Sequence, residues 1–178
     1  MDPSLKDLTD QIDDATTLLL DNAGRLSDDQ VREPSLLPGW SRGHLLTHIA
    51  RSGDVLRAAI DGARTGVPAA GYPSPEARAA DIEAGSGRPA AELVADVRDS
   101  AAAFRAAVLA MPGEAWATEI TLGGKTGPAS QVLIVRLVEI ELHHVDLDAG
   151  YRPSDWPTTF NELELSDPQR QQRADRLV

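Results

Sequence analysis

The chain has 178 residues and carries 28 acidic against 17 basic side chains, a net charge of −11. That length suits one domain with a real core, and the acidic balance argues against nucleic acid, whose phosphates need clustered Lys and Arg. Cysteine is absent, which removes disulfides, thiolate metal ligands and a cysteine nucleophile.

From the N-terminus, Asp2-Pro3 has the form of a helix start, an N-cap acid followed by proline. Leu5, Leu8, Ile12, Ala15, Leu19 and Leu26 then recur at helical spacing, which predicts an amphipathic helix of about five or six turns. The stretch "SLLPGWS" (Ser35–Ser41) is a turn, and Ser41 is the expected N-cap of a second helix running to about Ala63. Its stripe is Leu45, Ile49, Ser52, Leu56, Ala59 and Ile60. A loop rich in Pro and Gly follows (Thr65–Pro75), and Ser74-Pro75 opens a short helix that carries Arg78.

"GSGRP" breaks the chain before a third long helix, about Ala90–Ala110, with Leu93, Val97, Phe104 and Val108 on one stripe. "WATEITLGGKTG" (Trp116–Gly127) predicts a small hairpin turning at Gly123-Gly124. Pro128 is expected to begin a fourth long helix that ends near Gly150. The tail after Tyr151 is polar, with another helix start at Asp167-Pro168. Four long amphipathic helices predict an all-α fold, a four-helix bundle with a short extra helix and a hairpin before the last long helix. No apolar run approaches the ~20 residues of a membrane span, and Met1–Leu5 lacks the blocks of a signal peptide, so a cytoplasmic protein is expected.

The fourth helix is unusual in its polar content: "RLVEIELHHVDL" (Arg136–Leu147). The chain has four histidines, two of them here and two in "GHLLTHIA" (Gly43–Ala50). On a wheel at about 100° per residue, with Glu139 at zero, His143 falls near 40°, Arg136 near 60° and Asp146 near 340°. Glu141, His144 and Asp148 gather on the opposite side, and only one of the two faces is expected to point inward. His48 lies mid-stripe on the second helix and His44 toward its edge. A Glu-x-x-x-His pair on one helix facing a histidine on another is how bundles build metal sites, since i and i+4 sit on adjacent turns. Two histidines and one carboxylate leave a coordination position open, as in catalytic zinc sites. The plainer alternative is a hydrogen-bonded core histidine, with Glu139 paired to Arg136 one turn away.

"SLLPGWSRGHLLTHIA", "SPEARAADIEAGS" and "RLVEIELHHVDL" together resemble the mycothiol-dependent maleylpyruvate isomerase family, within the DinB-like metal-binding four-helix bundles. The resemblance runs from about Leu5 to Gly150. It implies that His48, Glu139 and His143 are the metal ligands, the three that the wheel also selects. It implies that Arg78 is an active-site residue near bound substrate, that Gly39 and Trp40 form the turn before the ligand helix with Trp40 packing, and that Arg136 and Asp146 support the site. The family's isomerases carry a second, smaller domain that contributes an arginine to the active site. The 28 residues after Gly150 are expected to be too few for it, so residues 1–150 are read as the bundle and 151–178 as a short tail.

The cofactor so implied is a divalent metal, zinc the expected ion, with mycothiol as thiol cosubstrate. A metal can strip a proton from a thiol at neutral pH, which suits a chain without thiols of its own. The expected activity is cis–trans isomerisation or thiol S-transfer on an anionic or electrophilic small molecule, with Arg78 holding a carboxylate. The expected partners are therefore small molecules, with no nucleic acid and no membrane. The alternative is a metal-binding bundle without catalysis, acting as an interaction module.

Overall fold

The computed structural model describes residues 3–69 and 71–177. The four long helices are α1 (Leu5–Ala23), α3 (Arg42–Thr65), α5 (Ala90–Leu109) and α6 (Gln131–Asp146). Shorter ones are α2 (Asp28–Arg32), α4 (Pro75–Ser86), α7 (Thr158–Asn161) and α8 (Asp167–Asp175). A hairpin of β1 (Glu119–Leu122) and β2 (Lys125–Pro128) precedes α6. The expected all-α bundle with a short extra helix and a hairpin is the fold observed.

Helix ends differ from expectation where a local polar contact outcompetes a proline signal. Asp2, the N-cap expected for α1, lies outside the described residues. The helix is capped by Ser4, whose Oγ accepts from the Asp7 amide while the Asp7 carboxylate accepts from the Ser4 amide. Leu26 falls beyond the helix end at Gly24, though it still packs on the core. Ser27 and Gln30 form a second capping box and start α2, which the apolar spacing did not reveal. Pro128 does not open α6. It ends β2 opposite Glu119, where its missing N–H costs nothing on an edge, and α6 starts at Gln131. The helix ends at Asp146, before Gly150, as Asp148 and Gly150 take φ of 51° and 97°.

α3 packs against both α5 and α6, and α1 completes the ring against α6 and α5. α3 and α6 run antiparallel, because His48 meets His143 while Ser52, one turn on, meets Glu139, one turn back. The core comes from the apolar faces of all four, including Leu19, Leu45, Ile49, Leu93, Leu133 and Leu137. Arg42 ties the start of α3 to the end of α6. Its guanidinium donates to the Leu147 carbonyl at 2.8 Å, the Asp148 carbonyl at 3.1 Å and Glu33 at 2.6 Å. A cation on the last carbonyls of a helix is favourable, and here it fixes the start of α3 beside the end of α6. Among the described residues no helix is long and apolar enough to cross a membrane.

α4 reaches α3 through glycine. A Cβ at Gly43 would stand well inside contact distance of the Ser86 carbonyl oxygen, which is backbone and cannot turn aside. Gly43→Ala is therefore expected to lower stability by about 1–3 kcal/mol in urea denaturation, the usual range for overpacking, by forcing α4 away from α3.

Candidate metal centre

His48 Nε2, His143 Nε2 and a Glu139 carboxylate oxygen converge between α3 and α6. The His48 and His143 nitrogens are 3.1 Å apart, and Glu139 Oε2 stands 3.1 Å from His48 and 3.7 Å from His143. With all three ligand atoms within 4.8 Å of one another, the group can hold one metal ion. His48 is buried, while Glu139 and His143 are half-buried, and His48 and Glu139 line a cavity.

The charge states of Glu139 and His48 suit metal binding. Burial alone would push the Glu139 carboxyl up. The hydrogen bonds from His48 and Ser52 Oγ, at 3.1 Å for the serine, and the charge of the two histidines hold it down at about 2. Burial also lowers His48, against the opposing pull of Glu139, which favours the neutral ring that a metal needs. His143 is oriented from behind: its Nδ1 lies 2.8 Å from Asp146 Oδ2, so Nδ1 donates and Nε2 keeps its lone pair. Asp146, buried, is held ionised despite that burial by His143 and by Arg176.

Arg78 touches the triad directly. Its Nη2 donates to His48 Nδ1 at 2.9 Å, and its guanidinium lies 5.9 Å from the centre of the Trp40 ring. Trp40 in turn sets its ring edge-on against His48, with centroids 5.4 Å apart. A neutral imidazole offers one lone pair and one N–H. While Nδ1 accepts from Arg78, His48 carries its proton on Nε2, pointing at Glu139 and His143. Coordination through Nε2 therefore requires the proton on Nδ1 and Arg78 withdrawn from it.

The other expected residues separate cleanly. His44 is not at the centre: it caps Ser41 and lies 3.0 Å from Glu83. Arg136 does not pair with Glu139. It is fully buried, donates to the Ile49 carbonyl at 3.0 Å and lies over Phe104, and burial lowers it to about 10. Gly53 on α3 lies beside it: a Cβ there would stand well inside contact distance of Ser100 Oγ and crowd the Arg136 nitrogens at 3.2 Å.

Of the face expected to look outward, Asp148 is exposed, but Glu141 and His144 are not. Glu141 and His144 are buried by the tail. Tyr151 stacks on the His144 ring at 3.8 Å and donates to Glu141 at 2.7 Å, and Trp156 Nε1 donates to the Glu141 carbonyl oxygen. Ser52, a polar residue in an apolar stripe one turn after His48, is a site residue that the sequence marked only by that misplacement. Arg176 left no periodic signal.

A cavity of about 700 Å³ opens from the triad. His48, Ser52, Glu139, Arg51 and Arg78 line its polar part, and Val55, Leu56, Ala59, Val135 and Leu122 its apolar part. The hairpin tip, Gly123 and Gly124, stands at its rim. Arg51 is neutralised by Asp54 and Asp96, whereas Arg78 has no carboxylate partner among the described residues.

The fold defines a four-helix bundle of the DinB-like kind, and its donor set, a group that could hold a metal ion, opens on a cavity. Residues 12–148 match the family described as the mycothiol maleylpyruvate isomerase N-terminal domain, and the chain belongs to that family. It is similar to the crystal structure of a mycothiol-dependent maleylpyruvate isomerase at 30% identity and a TM-score of 0.85. The match covers 89% of this chain and 66% of that one, so the chain spans just under two thirds of that isomerase's length. A structure of a histidine-to-alanine variant of the isomerase matches equally, at 30% identity, a TM-score of 0.85 and the same shares. No curated protein matches the chain.

His144 gives the tail a pH signature. Burial lowers it to about 4, and Asn22 Nδ2 lies 2.9 Å from its Nε2, a bond that protonation of that nitrogen would break. A histidine with a depressed folded pKa stabilises fully above its unfolded value, near 6.5, and that stability is lost as pH falls toward the folded value. Urea denaturation with chelator present should show the metal-free chain losing more stability between pH 7 and pH 5 than His144→Gln, by about 1–2 kcal/mol. Equal losses would mean that His144 is hydrated in the folded chain.

Proposed function

We propose that the chain is a metal-dependent enzyme that uses a low-molecular-weight thiol, mycothiol, as cosubstrate against an anionic or electrophilic small molecule. One observation carries the reading: two histidines and a glutamate converge, two of the three, His48 and Glu139, lining a cavity whose wall bears Arg78, which has no carboxylate partner among the described residues. His48, Glu139 and His143 would hold a divalent metal, zinc by the donor set, with three protein ligands and one open position. Such an ion, when bound, supplies the positive charge that lets a thiol lose its proton near neutral pH. The chain has no cysteine, so the sulfur comes from outside.

The chain's own residues divide the remaining work. Asp146 fixes the His143 ring, and Ser52 fixes one Glu139 oxygen. Arg78, once off His48, is placed to hold a substrate carboxylate in its planar fork. The apolar wall from Val55 to Val135 limits water around the reacting carbons. In isomerisation the thiolate sulfur adds to a conjugated cis double bond, and the electron pair moves onto the adjoining carbonyl. The bond, now single, rotates, and the pair returns to expel the thiolate and leave the trans alkene. No oxidant is consumed. In S-transfer the sulfur stays on the electrophile. The similarity to an isomerase favours the first course, and the apolar wall suits either.

Elemental analysis of purified protein should find one divalent ion per chain, lost in His48→Ala, Glu139→Ala and His143→Ala and kept in His44→Ala. Equal loss in His44→Ala would mean that the triad is not the site.

Arg78→Ala should keep the metal, with affinity no lower than the parent's, because the variant removes a donor that competes for His48. It should raise KM for an anionic substrate by about 10- to 100-fold, the worth of a charge-assisted hydrogen bond, and Arg78→Lys should restore little. Metal loss in Arg78→Ala would make the residue structural instead.

A further inference from the structure

The metal reading assigns no task to the segment after Gly150, and the family match ends at residue 148. Yet the end of α8 reaches the back of the centre. Arg176, the residue that closes α8, donates from Nε to Asp146 Oδ1 at 2.9 Å and from Nη2 to Asp146 Oδ2 at 2.5 Å. Asp146 Oδ2 is also the oxygen that accepts from His143 Nδ1 at 2.8 Å. A carboxylate gripped on both oxygens cannot turn, so the line from Arg176 through Asp146 fixes the plane of the His143 ring and the aim of its Nε2. We propose that Arg176 is a positioning residue of the metal centre, supplied by the tail and acting on His143 through Asp146.

Two further features require such a cation. Asp146 is 3% exposed, and it sits in the last turn of α6, where the carbonyl end of the helix dipole disfavours a negative charge. Without Arg176 the buried carboxylate would keep only the His143 N–H. The tail is also anchored independently of Arg176. Tyr151 and Trp156 bond Glu141, while Arg173 donates to the Phe160 carbonyl at 2.6 Å and lies over the Phe160 ring. Tail docking and the grip on Asp146 can therefore be separated by mutation.

The inference rests on the reading of His48, Glu139 and His143 as metal ligands. It differs in sign from simple electrostatics, since removing a cation near a metal site would on its own tighten binding. The test is zinc affinity of the full chain, measured by competition with a chromophoric chelator, beside the tautomer of His143 in the metal-free chain by imidazole ¹⁵N NMR. Arg176→Met should weaken zinc by about 10- to 100-fold, the usual cost of losing an outer partner of a ligand, and Arg176→Lys should recover part of it. In the metal-free chain Arg176→Met should turn a single Nδ1–H tautomer of His143 into a mixture. Arg173→Met should loosen α8 and lower stability, with a smaller loss of zinc affinity than Arg176→Met because Arg176 itself is kept. Zinc binding in Arg176→Met that is unchanged or tighter, or an equal loss in Arg173→Met, overturns the proposal while leaving the triad in place. A parent chain that takes up no zinc overturns the triad reading, and the positioning role falls with it.

Discussion

A charged carboxylate held between two histidines, inside a helical bundle, is the constraint on which the rest of this structure depends. Burial works against the Glu139 charge, and His48, His143 and Ser52 together reverse that. His48 and Ser52 must then lie within hydrogen-bond range of it, and His143 close beside it, each from a different turn. That demands two antiparallel helices in fixed register, which is what Arg42 enforces by joining the first turn of α3 to the last carbonyls of α6. The glycines at 43 and 53 allow close packing on α3, one letting α4 approach it and the other leaving room for Ser100 and Arg136.

The arrangement also explains why α6 is so polar for a helix buried on all sides. Its inner face carries Glu139 and His143, and its reverse face carries Glu141 and His144, which bond to Tyr151, Trp156 and Asn22. A purely apolar reverse face would dock the tail with less directional control. Stacking and hydrogen bonds on that face set where the tail lies, and the tail in turn delivers Arg176 to Asp146. Arg78 approaches the same centre from the cavity side. His48 and His143 thus have opposite outer partners: a cation on His48 Nδ1, which opposes coordination, and a carboxylate on His143 Nδ1, which supports it.

What was legible in the sequence follows from the range of each interaction. The helical period sets the azimuth of Glu139, His143, Arg136 and Asp146 regardless of tertiary contacts, so the wheel placed them on one face. His48 was visible as a histidine within an apolar stripe, and the hairpin as a Gly-Gly turn between alternating residues. The reverse face of α6 was misread because a wheel cannot tell solvent from a tail that returns later in the chain. Arg136 was expected beside Glu139 on spacing, but its guanidinium turns to the Ile49 carbonyl across the bundle. The bond from Arg176 to Asp146 spans 30 residues and has no period at all. The start of α6 and the cap of α1 were missed for a local reason, because strand pairing at Pro128 and a capping box at Ser4 outweighed the proline rules.

The central claim is that the open side of the triad takes an external sulfur, and it is tested most directly by optical titration of the cobalt-substituted chain with mycothiol. Thiolate coordination should add a strong charge-transfer band in the near ultraviolet that saturates with one thiol per cobalt. A hydroxyl analogue of the thiol should give no such band, and Glu139→Ala should abolish it along with the metal. A cobalt spectrum indifferent to saturating mycothiol would contradict the account and leave the metal a structural element of the bundle.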